Sequence, residues 1–242
     1  MNIKSAIEKL LIHAPPLYRL ASRVYHTINS GFRTLSPGAP GAIRRGFELH
    51  ASDADGGFEG DYYEFGVFRG GAFLSAGESV ESLGLEHTRL YGFDSFEGLP
   101  AAAGIDAGDP RFFEGQFSCS REEVERNLAS RGMDMSRVTL IEGFYSDTLT
   151  GELRERHPFR PVAVALLDCD YYTSTIEAMN WLTPYLRPGS VLLFDDWHSH
   201  DDKPGLGQPK ALEDWLASNP ALRVEQLDDF EAHGRGFILR AA

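Results

Sequence analysis

From residue 61 onward, short apolar runs alternate along the chain with amphipathic stretches. Two runs, Val162–Leu167 and Val191–Phe194, are apolar at every position, which is typical of parallel strands buried on both faces. The segment between them has helical spacing. A strand–helix–strand unit places the carboxyl ends of both strands at the same sheet edge, where open parallel sheets bind ligands.

The same pattern predicts five strand–helix units followed by an antiparallel β pair. We therefore expect a doubly wound, mostly parallel seven-stranded α/β domain over residues 56–242. Two helices are expected to begin with capping boxes, Ser120 with Glu123 and Ser174 with Glu177. The strands are predicted over Asp61–Val67, Arg89–Phe93, Val138–Glu142, Val162–Leu167, Val191–Phe194, Leu222–Leu227 and Gly236–Arg240.

Residues 1–55 are predicted to be an N-terminal helical extension and linker. Asn2–His13 and Pro16–Ile28 have amphipathic spacing and are separated by the Pro15-Pro16 pair, which interrupts a helix. The Gly/Pro-rich stretch Ser30–Gly41 is interpreted as a linker. We expect these helices to pack on the main domain or a second subunit, and a substrate lid is the alternative.

Composition narrows the class of protein. The formal net charge of −13 argues against a nucleic-acid or anionic-membrane partner, because both need a basic face. Only Cys119 and Cys169 are present, so we expect no disulfide framework and a cytoplasmic location. No apolar run approaches the ~20 residues of a membrane-spanning helix, and the N-terminal stretch is not typical of a signal peptide.

Acidic residues follow both buried strands. Asp168 and Asp170 come after the first, and Asp195 and Asp196 after the second. A group of unpaired carboxylates is costly unless a cation or shared protons compensate the charge. Oxygen ligands suit Mg²⁺, Mn²⁺ or Ca²⁺, so we predict a divalent cation site at this edge.

The first strand runs into a glycine-rich turn in the segment Glu64–Gly71. Glycine lets the backbone approach a ligand closely, although the spacing is not G-x-G-x-x-G and an ordinary tight turn is the alternative. The second strand ends at Asp94, where doubly wound folds place an acid that binds ribose hydroxyls. Glu64, at the end of an apolar strand, suggests a cationic ligand group.

Five segments carry a resemblance to a known family. In chain order they are EFGVFRGG (Glu64–Gly71), YGFDSFEGLP (Tyr91–Pro100), EGFYSDTL (Glu142–Leu149), LLDCDYYTST (Leu166–Thr175) and FDDW (Phe194–Trp197). With them the chain resembles class I S-adenosylmethionine-dependent methyltransferases, specifically the metal-dependent sugar O-methyltransferases typified by macrocin and mycinamicin O-methyltransferases. In a looser match, Gln208 stands where the family usually has an acid.

The resemblance implies S-adenosylmethionine and Mg²⁺ as cofactors, a sugar or glycoside hydroxyl as acceptor, and a homo-oligomer. The implied cofactor-binding residues are Glu64, Gly66, Val67, Phe68, Arg69 and Gly70 for methionine, Asp94, Ser95 and Phe96 for ribose, and Gly143, Phe144 and Ser146 for adenine. The implied metal ligands are Asp168, Asp195 and Asp196.

Asp168 is the predicted catalytic proton acceptor, with Asp170 and His198 in reserve. Related catechol methyltransferases have a lysine base at the position of Tyr171, so that base is absent here. One alternative is a metal-dependent glycosyltransferase that uses the Asp168-Cys169-Asp170 motif. Another is a non-catalytic S-adenosylmethionine-binding subunit. The loops 101–115 and 199–207 are candidates to close over a substrate.

Overall fold

The computed structural model describes residues 14–28, 36–200, 203 and 205–241. The predicted helix Asn2–His13 and half of the predicted linker Ser30–Gly41 lie outside this part of the chain. The strands are β1 (Asp61–Phe65), β2 (Leu90–Asp94), β3 (Val138–Glu142), β4 (Val162–Leu167), β5 (Val191–Phe194), β6 (Leu222–Phe230) and β7 (Gly234–Ala241). The helices are α1 (Pro15–Ile28), α2 (Ala39–Ser52), α3 (Gly71–Ser82), α4 (Arg121–Ala129), α5 (Tyr145–Thr148), α6 (Gly151–Arg156), α7 (Tyr172–Leu182) and α8 (Gly207–Ser218).

All seven strands form one sheet in the order β3-β2-β1-β4-β5-β7-β6. Strands β1 to β5 are parallel, and β7 runs antiparallel to both β5 and β6. The chain winds from β1 toward β3 on one side and from β4 outward on the other. The order therefore reverses between β1 and β4, which confirms the doubly wound fold and marks the switch point where ligands bind.

Successive residues of the central strands pack in two separate cores, one on each face of the sheet. In β1, Tyr62 packs in the core on one face of the sheet, while Tyr63 and Phe65 pack in the core on the other. In β4, Val164 faces the first core and Ala165 the second. This alternation is the period of two of an extended strand, and burial of both faces explains the continuous apolar runs.

Helix α2 was not predicted from the sequence. Ile43 and Phe47 are fully buried in the core beside β4 and β5, and a Cβ on Gly46 would lie 3.2 Å from Val164 Cγ1. The Pro40-Gly41 pair at the start of α2 is typical of a linker, but proline is also favoured in the first turn of a helix. The division at residue 55 stays a prediction, although α2, which precedes it, packs into the domain core.

The two predicted capping boxes differ in outcome. Ser120 caps α4 as expected, because its hydroxyl accepts a hydrogen bond from the Glu123 N–H at 3.3 Å. The prediction for Ser174 is wrong, since α7 begins at Tyr172 and its cap position is Tyr171, three residues before Ser174. The distant carboxylate of Asp106 caps that helix by accepting from the N–H groups of Tyr172 at 2.8 Å and Thr173 at 3.0 Å. Among the described helices, none has the length and apolar character needed to cross a bilayer.

Candidate functional site

A cavity of about 550 Å³ lies at the carboxyl edge of β1, β2, β4 and β5. It brings together most of the residues that the sequence predicts to bind the cofactor and the metal. Those in its lining are Glu64, Gly66, Val67, Phe68, Arg69, Asp94, Ser95, Phe144, Ser146, Asp168, Asp195 and Asp196. The motifs that are separated in sequence thus meet in one place.

Three nominated residues lie beside the cavity and not in its lining. A Cβ on Gly70 would lie 3.1 Å from a methyl group of Leu128, so this glycine packs against α4. Phe96 is buried in a core cluster, and Gly143 faces Thr148, the last residue of α5. These three residues shape the turns around the cavity. Close packing leaves no room for a side chain at Gly70 or Gly143, and it holds the ring of Phe96 in place.

Gly66 lies at the switch point of the sheet, where the ends of β1 and β4 are side by side. Its φ angle of 91° favours glycine, and a Cβ there would lie only 1.7 Å from the Asp168 carbonyl oxygen. The chain after β1 therefore passes directly against the chain after β4. This contact fixes the distance between the glycine turn and the first acid of the metal set.

Asp94 organises the glycine turn from the end of β2. Its Oδ2 accepts hydrogen bonds from the N–H groups of Val67 at 2.7 Å and Phe68 at 3.0 Å, and its Oδ1 accepts from Phe96 at 2.7 Å. Burial raises the pKa of Asp94, and these backbone donors act against that rise. Oδ1 can still accept a hydrogen bond from a ligand hydroxyl.

Glu64 is an acid at the floor of the cavity. It is 1% exposed, and its Oε2 accepts a hydrogen bond from the Tyr62 hydroxyl at 2.5 Å. Burial raises the pKa of its carboxyl well above the ordinary range. A positively charged ligand group would offset this cost, which fits the ammonium of an amino acid.

Asp168, Asp195 and Asp196 form the acidic corner of the cavity. Each offers a carboxylate oxygen, and the three oxygens lie within 4.8 Å of one another. Burial, followed by repulsion from Asp196, raises the pKa of Asp195 to about 7, and burial with repulsion from Asp195 and Asp196 raises the pKa of Asp168. A hard divalent cation such as Mg²⁺ fits this site, because it prefers oxygen ligands and would offset the repulsion between the carboxylates.

Gln208 holds the acidic corner from behind and is fully buried. Its side-chain oxygen accepts from the Asp196 N–H at 2.9 Å, and its amide nitrogen donates to the Leu167 carbonyl at 2.9 Å. The amide thereby ties the ends of β4 and β5 together. A carboxylate at this position would accept the first hydrogen bond but would have no proton for the second.

Two further acidic contacts were not predicted. The Ser36 hydroxyl lies 2.6 Å from Asp195 Oδ1 and 2.8 Å from Glu231 Oε2, so it links the acidic corner to the β6–β7 hairpin. Asp170 has a left-handed backbone with a φ angle of 57°, and its N–H donates to Asp196 Oδ2 at 2.9 Å. Strained backbone of this kind is often concentrated at functional sites.

The reserve proton acceptors are placed differently. Asp170 lines the cavity, whereas His198 is outside the lining, with its Nε2 3.3 Å from the Asp229 carboxylate. Of the two candidate closing loops, residues 101–115 contribute Ala101, Ala103 and Asp106 to the lining, and residues 199–207 contribute Ser199. The first loop is therefore part of the site wall.

Comparison with known proteins decides the family. The family model for macrocin-O-methyltransferase (TylF) matches residues 49–205. The chain belongs to this family. The glycosyltransferase alternative is therefore wrong, because the Asp168-Cys169-Asp170 motif lies within a methyltransferase fold.

Two curated proteins are similar to this chain in sequence. One is the 8-demethyl-8-(2,3-dimethoxy-alpha-L-rhamnosyl)-tetracenomycin-C 4'-O-methyltransferase of Streptomyces olivaceus, 33% identical over 58% of this chain and 54% of its own length. Another is the mycinamicin III 3''-O-methyltransferase of Micromonospora griseorubida, 27% identical over 62% of this chain and 63% of its own. The chain thus spans less than two thirds of the length of these relatives.

The solved structure of the O-methyltransferase NovP has the same fold. It superposes with a TM-score of 0.69 at 23% identity and covers 84% of this chain and 79% of its own. It confirms the Rossmann-like methyltransferase architecture predicted from the strand pattern.

Proposed function

We propose that this protein is an S-adenosylmethionine- and Mg²⁺-dependent O-methyltransferase that acts on a hydroxyl of a sugar or glycoside. One observation carries the proposal: the glycine turn with Asp94 and the acidic corner share one cavity at the switch point. The names of both curated relatives specify O-methyl transfer, one of them to a rhamnosyl compound.

The residues of the glycine turn suit the methionine and ribose parts of the cofactor. Glu64 would hold the ammonium group, and Gly66 allows the backbone to approach the ligand closely. Asp94 would accept a ribose hydroxyl on the free capacity of Oδ1, and Phe144 and Ser146 would border the adenine. When bound, S-adenosylmethionine supplies an activated methyl group on a sulfonium.

The acidic corner would hold the metal through Asp168, Asp195 and Asp196. When bound, Mg²⁺ supplies positive charge that lowers the pKa of neighbouring hydroxyl groups and orients them. Gln208 keeps Asp196 in position through its backbone, and Ser36 restrains Asp195. The chain thus holds the three carboxylates before any ligand arrives, which favours a fixed acceptor geometry.

Asp168 is proposed to accept the proton of the acceptor hydroxyl. It is the member of the acidic corner that adjoins the glycine turn, because its carbonyl oxygen lies against Gly66. Asp170 is the second candidate, since it also lines the cavity. Near-normal turnover by Asp168→Asn with metal still bound would contradict the first assignment.

The test is methyl transfer from S-adenosylmethionine to a panel of glycosides bearing neighbouring hydroxyl groups, with Mg²⁺ and then with chelator. We expect product and S-adenosylhomocysteine in equal amounts, and their loss with chelator. Binding of S-adenosylhomocysteine without transfer to any diol would instead favour a non-catalytic cofactor-binding subunit. Absence of cofactor binding would contradict the proposal.

A further inference from the structure

Charge is divided unevenly along the chain. Of its 23 lysine and arginine residues and 36 acids, five basic residues and one acid, Glu8, lie in residues 1–33, which therefore carry a formal charge of +4. The remaining 18 basic and 35 acidic residues give residues 34–242 a charge of −17. The total of −13 conceals this basic segment, so the expectation drawn from the total, that an anionic membrane is not a partner, does not apply to it.

Helix α1 (Pro15–Ile28) lies in the basic segment and turns its apolar face outward. Leu17, Leu20 and Val24 are three and four residues apart, so they share one side of the helix. They are 58%, 60% and 47% exposed. Among the described residues, Ile105 is the one other large hydrophobic side chain that is exposed. An amphipathic helix of a globular protein normally buries such a stripe.

The opposite side of α1 is the one that meets the domain. Arg19 comes two residues after Leu17 and therefore points to the other side of the helix. Its guanidinium carbon is 5.6 Å from the ring centroid of Phe113, a buried residue of the 101–115 loop. The helix thus contacts the domain through a basic residue and presents its aliphatic side chains to solvent. This orientation is the reverse of ordinary helix packing on a core.

The size and composition of α1 narrow the kind of partner. Stable dimers bury about 800 Å² on each subunit, and three aliphatic side chains of a 14-residue helix supply only a small part of that area. The helix is also shorter than the ~20 apolar residues that span a bilayer. Its sequence contains Arg19 and Arg23 and no acid. An aliphatic face with basic and no acidic residues is typical of helices that lie in the plane of a membrane surface.

We propose that α1 is an interfacial helix that binds the surface of an anionic lipid bilayer through Leu17, Leu20 and Val24. Basic residues near such a surface are attracted to anionic headgroups, and Lys4 and Lys9 add two in the residues that precede the helix. The acidic remainder of the protein is repelled, but salt screens this repulsion over about 8 Å at physiological ionic strength. The three aliphatic residues lie outside the lining of the cavity, so this surface is separate from the proposed active site.

The experiment is co-sedimentation of the full chain with two kinds of vesicle, phosphatidylcholine alone and equal parts of phosphatidylcholine and phosphatidylglycerol. We expect about tenfold or more tighter binding to the anionic vesicles. In about 1 M salt, which screens charges beyond ~3 Å, most of this preference should disappear. Absence of binding to the anionic vesicles, or binding that salt does not weaken, would overturn the inference.

A pair of double variants tests the apolar face. Leu17→Ser with Leu20→Ser should weaken vesicle binding by about tenfold or more, because serine has no aliphatic surface to bury in the bilayer. Leu17→Met with Leu20→Met keeps that surface and should bind like the unmodified chain. Both side chains are exposed, so the melting temperatures of the two variants should stay near that of the unmodified chain.

Equal vesicle binding by the serine and methionine variants would overturn the inference. Light scattering adds a second readout, the oligomeric state of each variant. A dimer that the serine substitutions dissociate, in a protein that does not bind vesicles, would assign the apolar face of α1 to a second copy of the chain and would also overturn the inference.

Discussion

The glycine turn and the acidic corner lie at neighbouring strand ends, and both are built around buried aspartates. Asp94 is surrounded by backbone donors, with three N–H groups on its carboxylate. Asp168, Asp195 and Asp196 lie against one another. Burial raises the pKa of all three, and repulsion from neighbouring carboxylates adds to the rise for Asp168 and Asp195. The turn is therefore formed before its ligand binds, whereas the corner carries charge that a cation would balance.

The largest effect is expected from Asp195→Asn, which keeps the shape of the corner and removes one charge. Metal-supplied charge stabilisation is worth several kcal/mol, so we expect turnover to fall by about 10³-fold. Steady-state methyl transfer measures this. Asp229→Asn is the matched control, because Asp229 lies on the β6–β7 hairpin outside the cavity lining. Comparable activity of the two variants would mean that the corner does not bind the catalytic metal.

Gln208→Leu tests how the corner is held. The side chain keeps its approximate size but loses both hydrogen bonds between β4 and β5, and loss of such supporting contacts typically weakens metal binding by about 10- to 100-fold. Calorimetric Mg²⁺ titration gives the affinity. Glu213→Gln on the exposed face of α8 serves as control. Unchanged affinity in Gln208→Leu would show that the strand ends keep their positions unaided.

Asp94→Asn tests the glycine turn, in contrast to the acidic corner. The single amide oxygen accepts on one side only, and the NH2 group on the other side faces a backbone N–H that loses its acceptor, at a cost of about 1–3 kcal/mol. We expect roughly tenfold weaker S-adenosylhomocysteine binding with Mg²⁺ affinity preserved. A variant that lost both ligands together would indicate that the two regions form one cooperative unit.

The smallest effect is a pH dependence of stability. Asp195 has a pKa of about 7 in the folded protein and about 3.9 when unfolded, so the folded state binds the extra proton between these values. In chelator, the melting temperature should therefore fall as pH rises from about 4 to 7 and then level off. Mg²⁺ should recover stability mainly above pH 7. The Asp195→Asn variant should show a shallower fall, and an equally steep one would refute this assignment.

The strands of this protein are predictable because burial on both faces leaves continuous apolar runs. Val162–Leu167 and Val191–Phe194 have the predicted bounds, and the acids that follow them meet because parallel strands share an edge. Val138–Glu142, at the edge of the sheet, also has its predicted bounds. Local pattern was sufficient for these features, since each depends on residues close in sequence.

The supporting contacts of the site depend on residues far apart in sequence. Asp106 caps a helix 66 residues away, and Ser36 reaches Asp195 across 159 residues. No local signal marks either residue, and Ser36 even lies in the stretch interpreted as a linker. Gln208 carried one signal, since it departs from the acid of the family, but its role as a bridge appears only when β4 and β5 are side by side.

The most direct test of the account is a Mg²⁺ titration of the protein loaded with S-adenosylhomocysteine, carried out on the unmodified chain and on Asp195→Asn. We expect one Mg²⁺ per chain in the first case, none in the second, and S-adenosylhomocysteine binding in both. Unchanged Mg²⁺ binding in the variant, or cofactor binding with no metal site in the unmodified protein, would contradict it.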